Sequence, residues 1–195
     1  MSKAGTINSA GSVRSKENQP VQKNWTSVFK TDLGWVGFIG TEQGLVSLTF
    51  GQGSRQETLD TLKAVSVSRT GLPDWMDDAR ELLTAYARGE SVDISQIPLN
   101  ITHRTPFEKR VREQLLRIGY GQTISYGELA AAAGKPRAAR AVGTVMSRNP
   151  IPLVIPCHRV LGAQGKLGGY SAPSGLEMKR RLLQLESPDR DGAIK

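Results

Sequence analysis

The stretch SYGELAAAAGKPRAARAVGTVMSRN, residues 125–149, holds two short helical patterns separated by Gly134 and Lys135. Two helices joined through a tight glycine turn are the pattern of a helix-turn-helix, although any helical hairpin shares it. The second pattern is small-sided. Ala138, Ala139, Ala141 and Gly143 leave Arg137 and Arg140 as the only long side chains early in it. Such a helix can pack closely on a neighbouring helix, or it can lie against DNA and push one side chain inward.

Upstream, THRTPFEKRVREQLLRI predicts a helix with Thr105 as its cap and Pro106 in its first turn. Phe107, Val111, Leu115 and Ile118 lie on one face of it. Downstream, NPIPLVIPCHRV, residues 149–160, ends an apolar prolyl run in the chain's only cysteine, Cys157, and one of its two histidines, His158. A single cysteine forms no internal disulfide, which fits a reducing compartment, and its thiol is either a small inert hydrophobe or a nucleophile. A free thiol has a pKa of about 8.5 and is little ionised at neutral pH, so a nucleophilic role needs a base beside it. His158 offers one. Neighbours in a strand point to opposite faces, so the pair needs a bridging water or a turn beginning at Pro156.

The first hundred residues read differently. WTSVFKT, GWVGFIGT and GLVSLTFG, with turn signals TDLG and TEQG between them, predict a small antiparallel sheet. The segment RQETLDTLKAV predicts a helix, as does LPDWMDDARELLTAYARGE, with Asp74 as its cap and Trp75, Ala79, Leu82, Leu83 and Tyr86 as its apolar face. Residues 91–102, around Pro98, lead as an extended segment into a linker. Charge separates the halves. Residues 1–100 hold ten basic against eleven acidic side chains, and residues 101–195 hold sixteen against seven. A basic second half suits a polyanion, nucleic acid first among them, although a solvated basic face shares the pattern. Residues 1–22 lack an apolar period and are expected to form a flexible tail. No apolar run is long enough for a membrane span, nor do the first twenty residues carry a secretory core, so a cytoplasmic protein without a membrane partner is expected.

With PCHRV at 156–160, preceded by NPIPLVI and ISYGELAAAAG, the chain resembles the O6-alkylguanine-DNA alkyltransferases, or methylated-DNA–[protein]-cysteine methyltransferases. The resemblance covers roughly residues 103–186. It implies Cys157 as alkyl acceptor, His158 as the group that takes the thiol proton through a water, and Glu186 as the carboxylate orienting that imidazole. It also implies Asn149 as a hinge and Tyr126 as the residue that crowds an extruded nucleotide's phosphate and protonates the base. Arg140 would fill the vacated stack, with Arg137, Ala138, Ala139 and Gly143 beside it on the DNA. Tyr170, Ser171 and Val160 would line the substrate pocket. Arg159 is expected to brace the loop as an ion pair. Between Ser171 and Gly175, YSAPSGLEMK runs two residues longer than the family form. The structural zinc of some members has no ligands here, since the first hundred residues contain neither Cys nor His.

Thiolate suits displacement at an alkyl carbon, and the thioether formed has no carbonyl for water to attack. Each molecule therefore works once, without cofactor or metal, on a nucleotide rotated out of duplex DNA. The expected sulfur is ionised and accessible at the floor of a cleft. The lesion is O6-alkylguanine, with O4-alkylthymine a second candidate. Two other readings stand beside this one: a lesion-sensing module that binds without transfer, and a cysteine hydrolase with multiple turnovers. The fold class expected is α+β: a tail at 1–22, a structural sheet-and-helix domain at 23–102, a mainly helical DNA-binding and acceptor domain at 103–187, and a tail at 188–195, acting as a monomer.

Overall fold

The computed structural model describes residues 23–63 and 71–187; the expected tails at 1–22 and 188–195 lie outside them. Strands β1 (Trp25–Thr31), β2 (Gly34–Thr41) and β3 (Gly44–Gln52) form an antiparallel sheet in the order β1-β2-β3. Two-residue turns connect them, as TDLG and TEQG predict. Helix α1 (Arg55–Leu62) is capped by Ser54, whose side chain accepts from Glu57 N–H, and ends at Lys63 in the left-handed region with φ 52°. The expected helix reached further, but Ala64 and Val65 lie outside the described residues. Glycines in β2 let helices approach. A Cβ on Gly37 would stand 2.5 Å from Thr58, and one on Gly40 would stand 2.4 Å from the indole of Trp75.

Helix α2 (Trp75–Ala87) buries Met76, Ala79, Leu83 and Tyr86. Asp74 does not cap it. Its backbone is already helical (φ −53°, ψ −39°), which keeps its carboxylate off the first-turn amides; a capping side chain needs an extended backbone. Residues 94–96 form a 3₁₀ turn, and Leu99 bridges to Leu45, tying the linker to the sheet.

In the second half, α3 (Pro106–Leu115) begins as its sequence predicts, with Thr105 Oγ1 accepting from Glu108 N–H. Its Arg112 and Glu108 form a buried pair at 2.7 Å. A two-residue strand β4 (Ile124–Ser125) leads into α4 (Tyr126–Ala132), which carries a full capping box between Ser125 and Glu128. Helix α5 (Ala139–Ser147) follows after Gly134, which adopts φ 79°, and completes the helix-turn-helix. Strand β5 (Val160–Leu161) pairs in parallel with β4, and α6 (Gly175–Glu186) closes the chain's described part. The fold is α+β.

One buried cluster runs from Trp25 through Phe38, Tyr86, Val111 and Leu129 to Leu182, so the two halves share a core. Leu48 N–H donates to Pro150 O at 2.8 Å, which sets β3 against the prolyl run. Among the described residues no helix is long and apolar enough to cross a membrane.

Candidate active site

The prolyl run folds into a compact loop. Asn149 fastens it at both ends: its Nδ2 donates to Ile155 O at 2.7 Å, and its Oδ1 accepts from Ile151 N–H at 3.2 Å. Within the loop Leu153 is buried at φ 72°, a left-handed conformation that costs a branched side chain energy and persists only where surroundings hold it. Pro156 then sits at φ −79°, ψ 66°, and Cys157 N–H reaches back to Ile155 O at 2.8 Å. That is an inverse γ-turn, to which proline's fixed φ is suited. It feeds a 3₁₀ turn, Cys157–Arg159. The chain turns at Pro156 instead of continuing as a strand, so the sulfur and the imidazole are not held on opposite faces.

His158 is fully buried, with Nε2 2.8 Å from Glu186 Oε1. That contact fixes the tautomer: the proton sits on Nε2 and Nδ1 keeps its lone pair. Nδ1 is buried and has no partner among the described residues. Arg159 grips the same carboxylate, Nε to Oε2 at 2.9 Å and Nη2 to Oε1 at 2.8 Å, and its Nη1 donates to Ile118 O at 2.5 Å. Gly121 N–H adds a bond to Oε2 at 3.2 Å. Tyr86 adds one to Oε1. Glu186 is held well below the usual carboxylate range by His158 and Arg159, which outweigh its burial. Burial pushes the imidazole below its ordinary 6.5, opposed by Glu186.

Both displacements act in the same direction with pH. The folded state refuses protons that the unfolded state accepts, below about 6.5 at His158 and below about 4.5 at Glu186. Stability therefore falls on acidification, beginning below about pH 6.5 as the unfolded imidazole charges and continuing below about 4.5 as the unfolded carboxylate protonates. Urea midpoints at pH 7, 5.5 and 4 check this; a constant midpoint contradicts it.

Cys157 is 6 % exposed and lines two cavities. One, of about 340 Å³, is bounded by Tyr126, Gly143, Met146, Ser147, Tyr170 and Ser171, and so opens between the helix-turn-helix and the 169–171 segment. The other, of about 470 Å³, lies between β3, α1 and the prolyl run. The Tyr170 hydroxyl is buried beside the sulfur, and its burial, then the Cys157 charge, push it well above 10. Tyr126 is raised by the same two causes. The thiol itself is pushed up by burial, against the pull of the Asn149 side chain and the Lys179 charge. The expected ionised sulfur is corrected here: at rest it holds its proton, because desolvation outweighs the groups favouring the anion.

Lys179, on α6, escaped the sequence reading. It is fully buried, and its Nζ donates to Val160 O at 2.6 Å and to Leu167 O. Burial lowers its ammonium to about 8. Its helical spacing with Leu182, Leu183 and Glu186 was the available signal, since those positions share one face. Val160 lines neither cavity at Cys157. Its side chain is wholly buried in the β4–β5 pair, so it meets the site only through its carbonyl.

On the outer side of the helix-turn-helix, Arg137 and Arg140 are exposed, and Ala138 and Ala139 half-buried. A Cβ on Gly143 would meet nothing within 4 Å, so packing against a neighbouring helix does not explain that glycine.

Residues 106–188 match the family described as 6-O-methylguanine DNA methyltransferase, DNA binding domain. A methylated-DNA–protein-cysteine methyltransferase of Methanosarcina acetivorans is 39% identical, over 82% of this chain and 96% of its own. Among solved structures, Mycobacterium tuberculosis OGT in complex with DNA is similar at 36% identity and TM-score 0.65, covering 84% of this chain and 92% of its own. The O6-methylguanine methyltransferase of the same organism gives 34% and 0.67, over 85% and 94%.

Proposed function

The chain belongs to the methylated-DNA–protein-cysteine methyltransferase family, and from that premise we propose that Cys157 takes the alkyl group of O6-alkylguanine. The protein is a DNA-repair enzyme that works by alkyl transfer. The observation that carries the assignment of the acceptor is that Cys157 lines a cavity together with Tyr126 and Gly143 of the helix-turn-helix.

In the step, Sγ bonds to the alkyl carbon as the carbon–O6 bond breaks, and its proton leaves through a bridging water for His158 Nδ1, which has no direct partner among the described residues. The O6 electron pair stays with the base, which regains one proton and becomes guanine, with Tyr126 of the cavity lining as the donor. Proton return from the imidazolium to Tyr126 through solvent completes the balance, so that one proton leaves the thiol and one is gained by guanine. Glu186 steadies the imidazolium while it lasts, and Lys179 supports negative charge at sulfur. This order suits a thiol that is protonated at rest, since charge appears only as the nucleophile engages.

Reaching the cavity demands extrusion of the nucleotide, at a cost of a few kcal/mol. Arg140, exposed on α5 beside the small-sided face, fills the vacated stack. The thioether is permanent, so one molecule performs one transfer. A monomer acting in the cytoplasm fits two further features. Leu176 is the one large apolar side chain left exposed among the described residues, and a working lone thiol needs a reducing compartment.

Intact mass after mixing with duplex DNA carrying O6-methylguanine is expected to rise by one methylene per chain, on Cys157. Continued product release beyond one equivalent, or an unchanged mass, overturns the assignment. Arg140→Ala is expected to slow transfer from duplex by about 2 kcal/mol, roughly thirtyfold, the worth of one lost stacking partner. Transfer from the free base, which needs no extrusion, is expected to change little. Equal losses on both substrates contradict the role given to Arg140.

A further inference from the structure

One polar atom of the first half is aimed into this network, and the transfer scheme leaves it without a task. Tyr86, on the buried face of α2, donates its hydroxyl proton to Glu186 Oε1 at 2.6 Å and lies 3.4 Å from His158 Nε2. Its ring is fully buried and meets Tyr120 edge-on, with centroids 6.0 Å apart. Phenylalanine would fill that space equally well, so packing alone does not account for the hydroxyl.

We propose that Tyr86 is a positioning residue, supplied by the first half of the chain, that sets the basicity of His158 by sharing the charge on Glu186. The proposal rests on Cys157 as acceptor and His158 as its base. Oε1 receives the His158 N–H, Arg159 Nη2 and the Tyr86 hydroxyl together. Each donor that draws on the carboxylate weakens its pull on the imidazole proton. An imidazole bound too tightly to its proton would already be cationic at neutral pH and unable to accept one from the thiol. The groups facing His158 are Glu186 and Lys179 from α6, Cys157 and Arg159 from its own turn, and Tyr86 from α2, with Tyr120 behind Tyr86 and Tyr170 across the sulfur. Tyr86 is the neutral donor in this set that faces Glu186 from outside the second half. Burial, then Glu186, hold its hydroxyl well above 10, so it donates at every working pH.

The test compares Tyr86→Phe with the native chain, following the His158 ring protons by NMR and the single-turnover transfer rate across pH. The His158 midpoint is expected to rise by about one pH unit, a tenfold gain in proton affinity. The rising limb of the rate profile is expected to move with it, so that transfer below the limb slows by about tenfold on duplex and free base alike, with DNA affinity unchanged. Tyr120→Phe is the control, because that hydroxyl donates to Gly89 O and Leu185 O and not to the carboxylate; both midpoints should stay in place. An unmoved His158 in Tyr86→Phe, or an equal shift in Tyr120→Phe, overturns the proposal. A ring-fluorinated tyrosine at 86 is a stronger donor of similar shape and is expected to lower the midpoint. It carries the test if the phenylalanine variant does not fold. Should the native chain take no alkyl group while the midpoint still moves, the acceptor assignment falls and the coupling through Tyr86 stands.

Discussion

Serine at position 157 abolishes transfer and leaves DNA binding intact: this is the largest effect expected of any single change. The two side chains are nearly isosteric, so the loop held by Asn149 and the turn at Pro156 has no reason to rearrange. What changes is the nucleophile. An aliphatic hydroxyl ionises far above the roughly 8.5 of a thiol, close to bulk water itself, so many orders of magnitude fewer anions form under the same base. Oxygen is also the harder and poorer attacker at carbon. On the proposed function, the phosphate contacts that govern affinity would come from the helix-turn-helix and its arginines and not from the side chain at 157. Titrating duplex DNA into Cys157→Ser and following mass in parallel separates the two properties. Residual alkylation of the variant would place the acceptor elsewhere, and lost binding would mean that residue 157 shapes the DNA surface.

Glu186→Gln is expected to strike stability and rate together. Arg159, His158, Tyr86 and the Gly121 amide all donate to this carboxylate. An amide returns one acceptor and turns two N–H groups toward donors. It also leaves the buried Arg159 guanidinium without its counter-charge. Breaking a buried pair in this way costs about 3–5 kcal/mol, which in a chain of this size lowers Tm by roughly 10 °C. Transfer is expected to slow by about 10²–10⁴, the usual worth of a general base whose orientation is lost. Calorimetry and single-turnover kinetics read the two effects. A variant with native Tm would show the arginine satisfied by Ile118 O alone.

Local signals carried most of the fold. Alternating Val, Phe and Trp with TDLG and TEQG between them defined the three strands, and Thr105 with Pro106 marked the start of α3, because each depends on residues a few positions apart. Asp74 misled for the complementary reason. Its residue type suits a cap, but the backbone around Pro73 enters helical geometry one residue early. The site was legible where resemblance supplied it, at Cys157, His158 and Glu186, whose network geometry the sequence alone does not contain. Tyr86 read as an ordinary core aromatic, since its partner lies 100 positions away and only the docking of the two halves joins them. Lys179 stood among the basic residues of EMKRRLL with nothing in its type to signal that it alone turns inward. The ionisation state of the sulfur was likewise out of reach, because it follows from burial, a property of the assembled loop.

Lys179 and Glu186 stand seven residues apart on α6, close to two full turns, and both reach the segment that carries the thiol. The rod thus behaves as a ruler with two fixed marks. Deleting one residue between them would swing one mark by about 100° away from the other, since each α-helical residue advances the spiral by that angle. Either the ammonium or the carboxylate would then lose its seat, however well the remaining turns were wound. Length between those two positions is accordingly as restricted as residue type.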